Sequence, residues 1–120
     1  MITEEGKKQI ATLIKTNFAS MDVGTGTDST NPSANELDSP RTTNGVPTVT
    51  SNISSTLAND TGVEFKASFL GSASALTGYT ITEVGIFDSS GNMLNRIDFD
   101  GVGPITATDI LEFTIVVQVK

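Results

Sequence analysis

The sequence predicts a mainly β protein, an antiparallel β-sandwich or flattened barrel with one N-terminal α-helix. Three observations carry that expectation. Apolar residues recur at helical spacing only within residues 3–18. From Val49 onward, apolar and polar residues alternate with a period of two, the signature of half-buried strands. Turn signals separate these runs without strand–helix–strand alternation, which favours successive antiparallel strands over a parallel nucleotide-binding sheet. A chain of 120 residues fits a single domain, 1–120. It divides into a helix over 3–18, a polar loop or arm over 20–48 and the β-sandwich over 49–120.

Thr3 is the expected N-cap of the helix, because its hydroxyl can accept a free N–H of the first turn. Glu4 and Glu5 follow where the helix dipole favours acids. Ile10, Leu13, Ile14 and Phe18 form one apolar stripe. A single short helix must pack that stripe on something, either its own sheet or a neighbouring subunit. These four residues, with Leu37, are the candidate subunit interface.

Residues 20–48 are rich in Gly, Ser, Thr, Asn and Pro. The run from Val23 to Asn35 offers little to a core, so composition reads as loop. Ordering it costs on the order of 1–2 kcal/mol per residue for the backbone alone. Either it packs on its own domain or neighbouring subunits order it; the expectation is the second, with Leu37 as a local pin.

The strands follow in turn. Val49, Ile53 and Leu57 alternate with hydroxyl and amide residues. After Asn59-Asp60-Thr61-Gly62, the residues Val63, Phe65, Ala67 and Phe69 alternate with Glu64, Lys66 and Ser68. Gly71 to Gly78 is a loop of small residues. Tyr79 to Phe87 is the next strand, and Asp88-Ser89-Ser90-Gly91-Asn92 is a hairpin turn in which Gly91 can take positive φ. Met93 to Phe99 returns, with Arg96 and Asp98 opposite Met93, Ile97 and Phe99. Gly101 to Pro104 breaks the pattern. Leu111, Phe113, Ile115, Val117 and Val119 close the chain in alternation. That makes five strands, and a sixth if Ala19 to Val23 also pairs. Phe65, Phe69, Phe87, Phe113, Ile115 and Val117 are the expected core.

Composition removes much chemistry. The chain has no His and no Cys, which excludes the usual zinc sites and the His-dependent triads and dyads. Seven Lys and Arg against fourteen Asp and Glu give a net charge of −7, which opposes a phosphate-binding surface, so no nucleic-acid partner is expected. No stretch approaches the roughly 20 apolar residues of a membrane span, and the acidic start lacks a signal-peptide core. The expectation is manufacture in a host cytoplasm, no membrane partner, no cofactor and no enzymatic role.

Three features invite chemistry and are weighed against plainer roles. Gly24-Thr25-Gly26 suggests a phosphate loop, but neither the Walker nor the dinucleotide pattern is complete and no helix follows. Asp98, Asp100 and Asp109 lie around the Gly101 to Pro104 break and could hold a cation, although no EF-hand spacing is present. Turn-forming and solvent-facing acids are the plainer reading. Glu83 is the residue of most interest. It sits within Ile81-Thr82-Glu83-Val84-Gly85-Ile86-Phe87, and a buried carboxylate must be paired or hydrogen-bonded. Its expected role is structural, accepting backbone N–H groups or pairing with Arg96 across the hairpin.

The stretch Tyr79 to Asp88, followed by Gly91-Asn92-Met93-Leu94, resembles a pattern of phage tail-collar and tail-fibre attachment domains. In these a strand reading I-x-E-[VI]-G-[LI]-F-D runs through a glycine turn into a second strand. Val23-Gly24-Thr25-Gly26-Thr27, with Pro32-Ser33-Ala34 and Leu37, is similar to a Gly-Thr-rich segment of small virion proteins of tailed viruses. The resemblance implies a structural virion subunit that assembles with other virion proteins and as a homo-oligomer, often a trimer. Family members often carry such a domain at the start of a longer fibre, whereas this chain stops at Lys120. The expectation is therefore a tail, baseplate or fibre-attachment adaptor. The alternatives are a capsid decoration or head-fibre protein, and a carbohydrate-binding β-sandwich. The last is weakened by the absence of Trp and the presence of one Tyr.

Overall fold

A computed structural model describes residues 1–26, 36–42, 51–59 and 61–120, with residues 51–59 described by their backbone alone. The element order is α1 (Glu4–Asn17), β1 (Phe18–Gly24), β2 (Ser51–Asn59), β3 (Gly62–Leu70), β4 (Ile81–Asp88), β5 (Met93–Val102) and β6 (Ile110–Gln118). The strands form two three-stranded antiparallel sheets, β1-β4-β5 and β2-β3-β6. The protein is a mainly β, sandwich-like fold with one N-terminal helix, as the periodicity predicts.

The helix begins at Thr3, whose hydroxyl accepts the Gly6 N–H at 3.0 Å. It ends one residue earlier than the apolar stripe suggests, because Phe18 turns extended and opens β1. The expected loop over 20–48 therefore starts with a strand. Met21 and Val23 point into the core, and Asp22 lies buried on the opposite face. The helix packs against β1, β2 and β3 through buried Ala11 and half-buried Ile14, and Phe18 joins the same core. Ile10 is half-buried, while Leu13 remains 60% exposed.

Between the sheets, β3 supplies Val63, Phe65, Ala67 and Phe69 on one face, and β4 supplies Val84 and Ile86. Phe65, Phe69, Phe87 and Ile115 are buried as expected. Phe113 and Val117 are only half-buried, because β6 is an edge strand that pairs on one side with β3. The loop over 71–78 contributes more than its small residues suggest. It places Leu76 fully in the core, beside Ile105. Two hydrogen bonds tie this end together: Gly78 N–H donates to the Ile105 carbonyl at 2.7 Å, and Ile105 N–H to the Tyr79 carbonyl at 2.9 Å. Strand β4 starts at Ile81 rather than at Tyr79.

The β4–β5 turn follows its sequence signature. Asp88 accepts the Ser90 and Asn92 backbone N–H groups at 2.9 and 2.8 Å, and Gly91 takes a φ of +84°. These bonds, led by the one from the Asn92 side chain, hold the Asp88 carboxyl below the usual carboxylate range. Strand β5 runs on to Val102, past the expected end at Phe99, with a register break before Val102. The expected strand residue Val49, and the loop residues 27–35 and 43–48, lie outside the described residues, as do the side chains of Ile53 and Leu57.

Candidate functional site: a buried carboxylate seat

The outer face of the β1-β4-β5 sheet is the least ordinary part of the molecule. Cross-strand register places Gly24, Glu83 and Asp98 in one row and Asp22, Gly85 and Arg96 in the next. Directly opposed residues share a face, so these six lie on the side away from Met21, Val23, Val84 and Ile86. A polar segment covers this face. Leu37 and Phe87 are buried there, apart from the main apolar cluster.

Glu83 is fully buried and is the centre of the arrangement. Its Oε2 accepts the N–H of Gly26 at 2.7 Å and of Ser39 at 2.8 Å. Its Oε1 accepts the N–H of Asp38 at 2.8 Å. Three backbone donors surround one carboxylate, and hydrogen bonds to an ionised acceptor are roughly twice as strong as neutral ones. Of the two structural roles the sequence allows, the backbone one is realised. Arg96 stands opposite Gly85 instead, and its Nη1 donates to the Glu36 carbonyl at 3.2 Å.

The glycines explain how the main chain comes so close. A Cβ on Gly24 would stand 2.5 Å from both Glu83 Oε2 and the Ser39 carbonyl. A Cβ on Gly26 would collide with Asp38 and stand 2.5 Å from Glu83 Oε2. Gly85 makes room in the same way: a Cβ there would lie 3.1 Å from Leu37 Cδ2. Gly24 and Gly26 thus let the main chain come up against Glu83, and Gly26 supplies one of its three donors.

Further contacts fasten the segment. Thr82 Oγ1 donates to the Gly26 carbonyl at 2.6 Å. Residues 39–42 run antiparallel beside the free edge of β1: Thr25 N–H donates to the Ser39 carbonyl at 2.9 Å, and Arg41 N–H to the Val23 carbonyl at 2.8 Å. Pro40 bridges to Gly24 at this edge, where a residue without an N–H is tolerated. Thr42 Oγ1 accepts the Val23 N–H and donates to Asp22, both at 3.0 Å. Arg41 reaches across to the Ala75 carbonyl at 2.9 Å, with its guanidinium 3.7 Å above the Tyr79 ring.

This geometry gives part of the arm an anchor within the chain, the first of the two possibilities the sequence allows. Residues 25–26 and 36–42 are held by the chain's own sheet; the remainder of the arm lies outside the described residues. It also divides the candidate interface. Leu37 is buried against its own sheet, Ile14 and Phe18 pack on the core, and Leu13 stays exposed.

Both Glu83 oxygens are engaged by N–H donors and shut off from solvent, a geometry that fastens the covering segment to the sheet. Asp98, in the same row, has both oxygens enclosed without a hydrogen-bond partner among the described residues. Asp109 accepts the Thr106 N–H at 2.8 Å in a turn, and Asp100 is exposed. Among the described residues, no three acids converge as a metal site would require. Sequence reasoning found Glu83 and Gly24-Thr25-Gly26 separately but missed Ser39, Pro40, Arg41 and Thr42. Their only local signal is Pro40, and their role depends on partners far along the chain.

A scan against protein-family models and a search of curated proteins both find no match. Among the described residues, no helix is long and apolar enough to cross a membrane.

Proposed function

We propose that this chain is a structural subunit of a tailed virus particle, acting in the tail, the baseplate or as a fibre-attachment adaptor through protein–protein assembly rather than catalysis. One observation carries the reading. The Gly-Thr segment and the Glu-Val-Gly-Ile-Phe strand, two separate grounds of the resemblance, meet in a single device: Gly26 donates to Glu83 at 2.7 Å. Each glycine in the two motifs has a steric reason, since Gly24, Gly26 and Gly85 all admit the covering segment. Two motifs that need each other physically are better evidence for one kind of domain than two chance matches.

A capsid decoration or head-fibre role shares the same support and differs in location. A carbohydrate-binding module draws less. Its natural platform is Tyr79, the single Tyr of a chain without Trp, and one face of that ring is taken by Arg41.

The test is a cryo-EM map of purified particles from cells that produce this chain, with mass spectrometry of the same particles. The expected result is the chain in many symmetric copies at the tail or baseplate. Density on the head shell would select the decoration role, and absence from particles while the chain is abundant in the lysate would overturn the proposal.

A further inference from the structure

We propose that two copies of this chain join through β6, edge to edge and antiparallel about a two-fold axis at Val116, forming one continuous six-stranded sheet. The inference concerns the chain's own pairing and does not depend on the virion reading.

An open strand edge is a template for another strand, and proteins usually blunt such edges. Two of the other edges here are blunted. The β1 edge is covered by residues 39–42. Strand β5 has two register breaks against β4 and carries Gly101 at a φ of +109°. Strand β6 differs. It pairs with β3 over nine consecutive residues without a break and contains no Pro or Gly. Its line continues in register past Gln118, where the Val119 N–H donates to the Thr61 carbonyl at 2.9 Å. Among the described residues, no strand pairs with its other edge.

The outward side chains of this line are Ile110, Glu112, Thr114, Val116, Gln118 and Lys120. Val116 is 53% exposed and Ile110 64% exposed. An antiparallel two-fold pairing must set outward residues against outward residues. With the axis at Val116, the two copies of Val116 face each other, Thr114 faces Gln118, and Glu112 faces Lys120 twice. Moving the axis to Thr114 or Ile115 loses both charge pairs. Charge complementarity thus selects a second copy as the occupant and fixes the register.

Sedimentation equilibrium on the full chain at high micromolar concentration tests this. The wild-type protein should be a dimer. Val116→Lys sets two ammonium groups together at the axis and should leave a monomer. Glu112→Lys places like charges opposite each other at two symmetric points and should weaken the dimer by about tenfold. Adding Lys120→Glu to Glu112→Lys should restore wild-type affinity. These side chains are outside the core, so the circular dichroism spectrum should stay close to wild type and report that each variant is folded, while the thermal midpoint falls only as far as loss of association requires. A folded wild-type monomer or trimer, or a dimer indifferent to Val116→Lys, would overturn the proposal; failure of the double variant to recover would overturn its register.

Discussion

Glu83→Ala is expected to destabilise the protein by roughly 3–5 kcal/mol, because it strands one buried and two partly buried donors, at about 1–3 kcal/mol for a donor left unpaired away from water. The N–H groups of Gly26, Asp38 and Ser39 all lose their acceptor at once. Water entering the vacated space offsets part of the loss, which keeps the expected value below the full sum. Glu83→Gln separates geometry from charge. The amide oxygen can still serve Gly26 and Ser39, which share Oε2, but the amide NH2 then meets the Asp38 N–H, donor against donor. A smaller cost of about 1–3 kcal/mol follows. Gly24→Ala attacks the same contact from the other side, where its Cβ would lie 2.5 Å from Oε2. Urea denaturation of the three variants measures all of this. Wild-type midpoints for both Glu83 variants would mean that the carboxylate is not holding the segment.

Phe65→Ala should cost about 3–5 kcal/mol, the usual range for deleting a buried aromatic ring. Phe65 and Phe69 are fully buried on β3, the central strand of its sheet. Phe113→Ala should cost clearly less, at roughly half that value. Its ring contacts Phe69 and Phe99, with centroids at 6.3 and 5.7 Å, but it stands half-buried on the edge strand β6. Thermal and urea unfolding of the two variants side by side would rank them, and equal losses would contradict the strand order.

That pair shows what alternation can and cannot convey. A period of two tells which face of a strand is apolar, so Phe65 and Phe113 look alike in sequence. Strand order decides how deeply each is buried, and strand order is set by pairing between distant segments. The helix boundary is similar. No Gly or Pro separates α1 from β1, and Phe18 fits both the helical stripe and the following strand. The stripe therefore reads one residue too far, and β1 is partly absorbed into the polar arm.

The candidate site was legible in halves. Glu83 announces itself as an acid in an apolar strand, whereas Gly24-Thr25-Gly26 reads only as an incomplete phosphate loop and its close approach to Glu83 is seen in the structure alone. What joins them is non-local. Glu83 lies 57 residues from Gly26 and 44 from Ser39, and nothing in residues 36–42 marks them as its donors. Composition also leaves out part of what can hold the arm. Few apolar residues suggested too little energy to order it, whereas for residues 25–26 and 36–42 the energy comes from charge-assisted hydrogen bonds and one buried leucine.

The central claim is that the Glu83 carboxylate seats this polar segment on the sheet from within the chain. Residue-resolved hydrogen exchange on the purified wild-type protein and on Glu83→Gln tests it most directly. The amides of Gly26, Asp38 and Ser39 should be protected in the free wild-type protein, and Asp38 should lose most protection in the variant. Exchange of these three amides at unstructured rates in the free wild-type protein, with the strand amides still protected, would contradict the claim and return the ordering of the segment to neighbouring subunits.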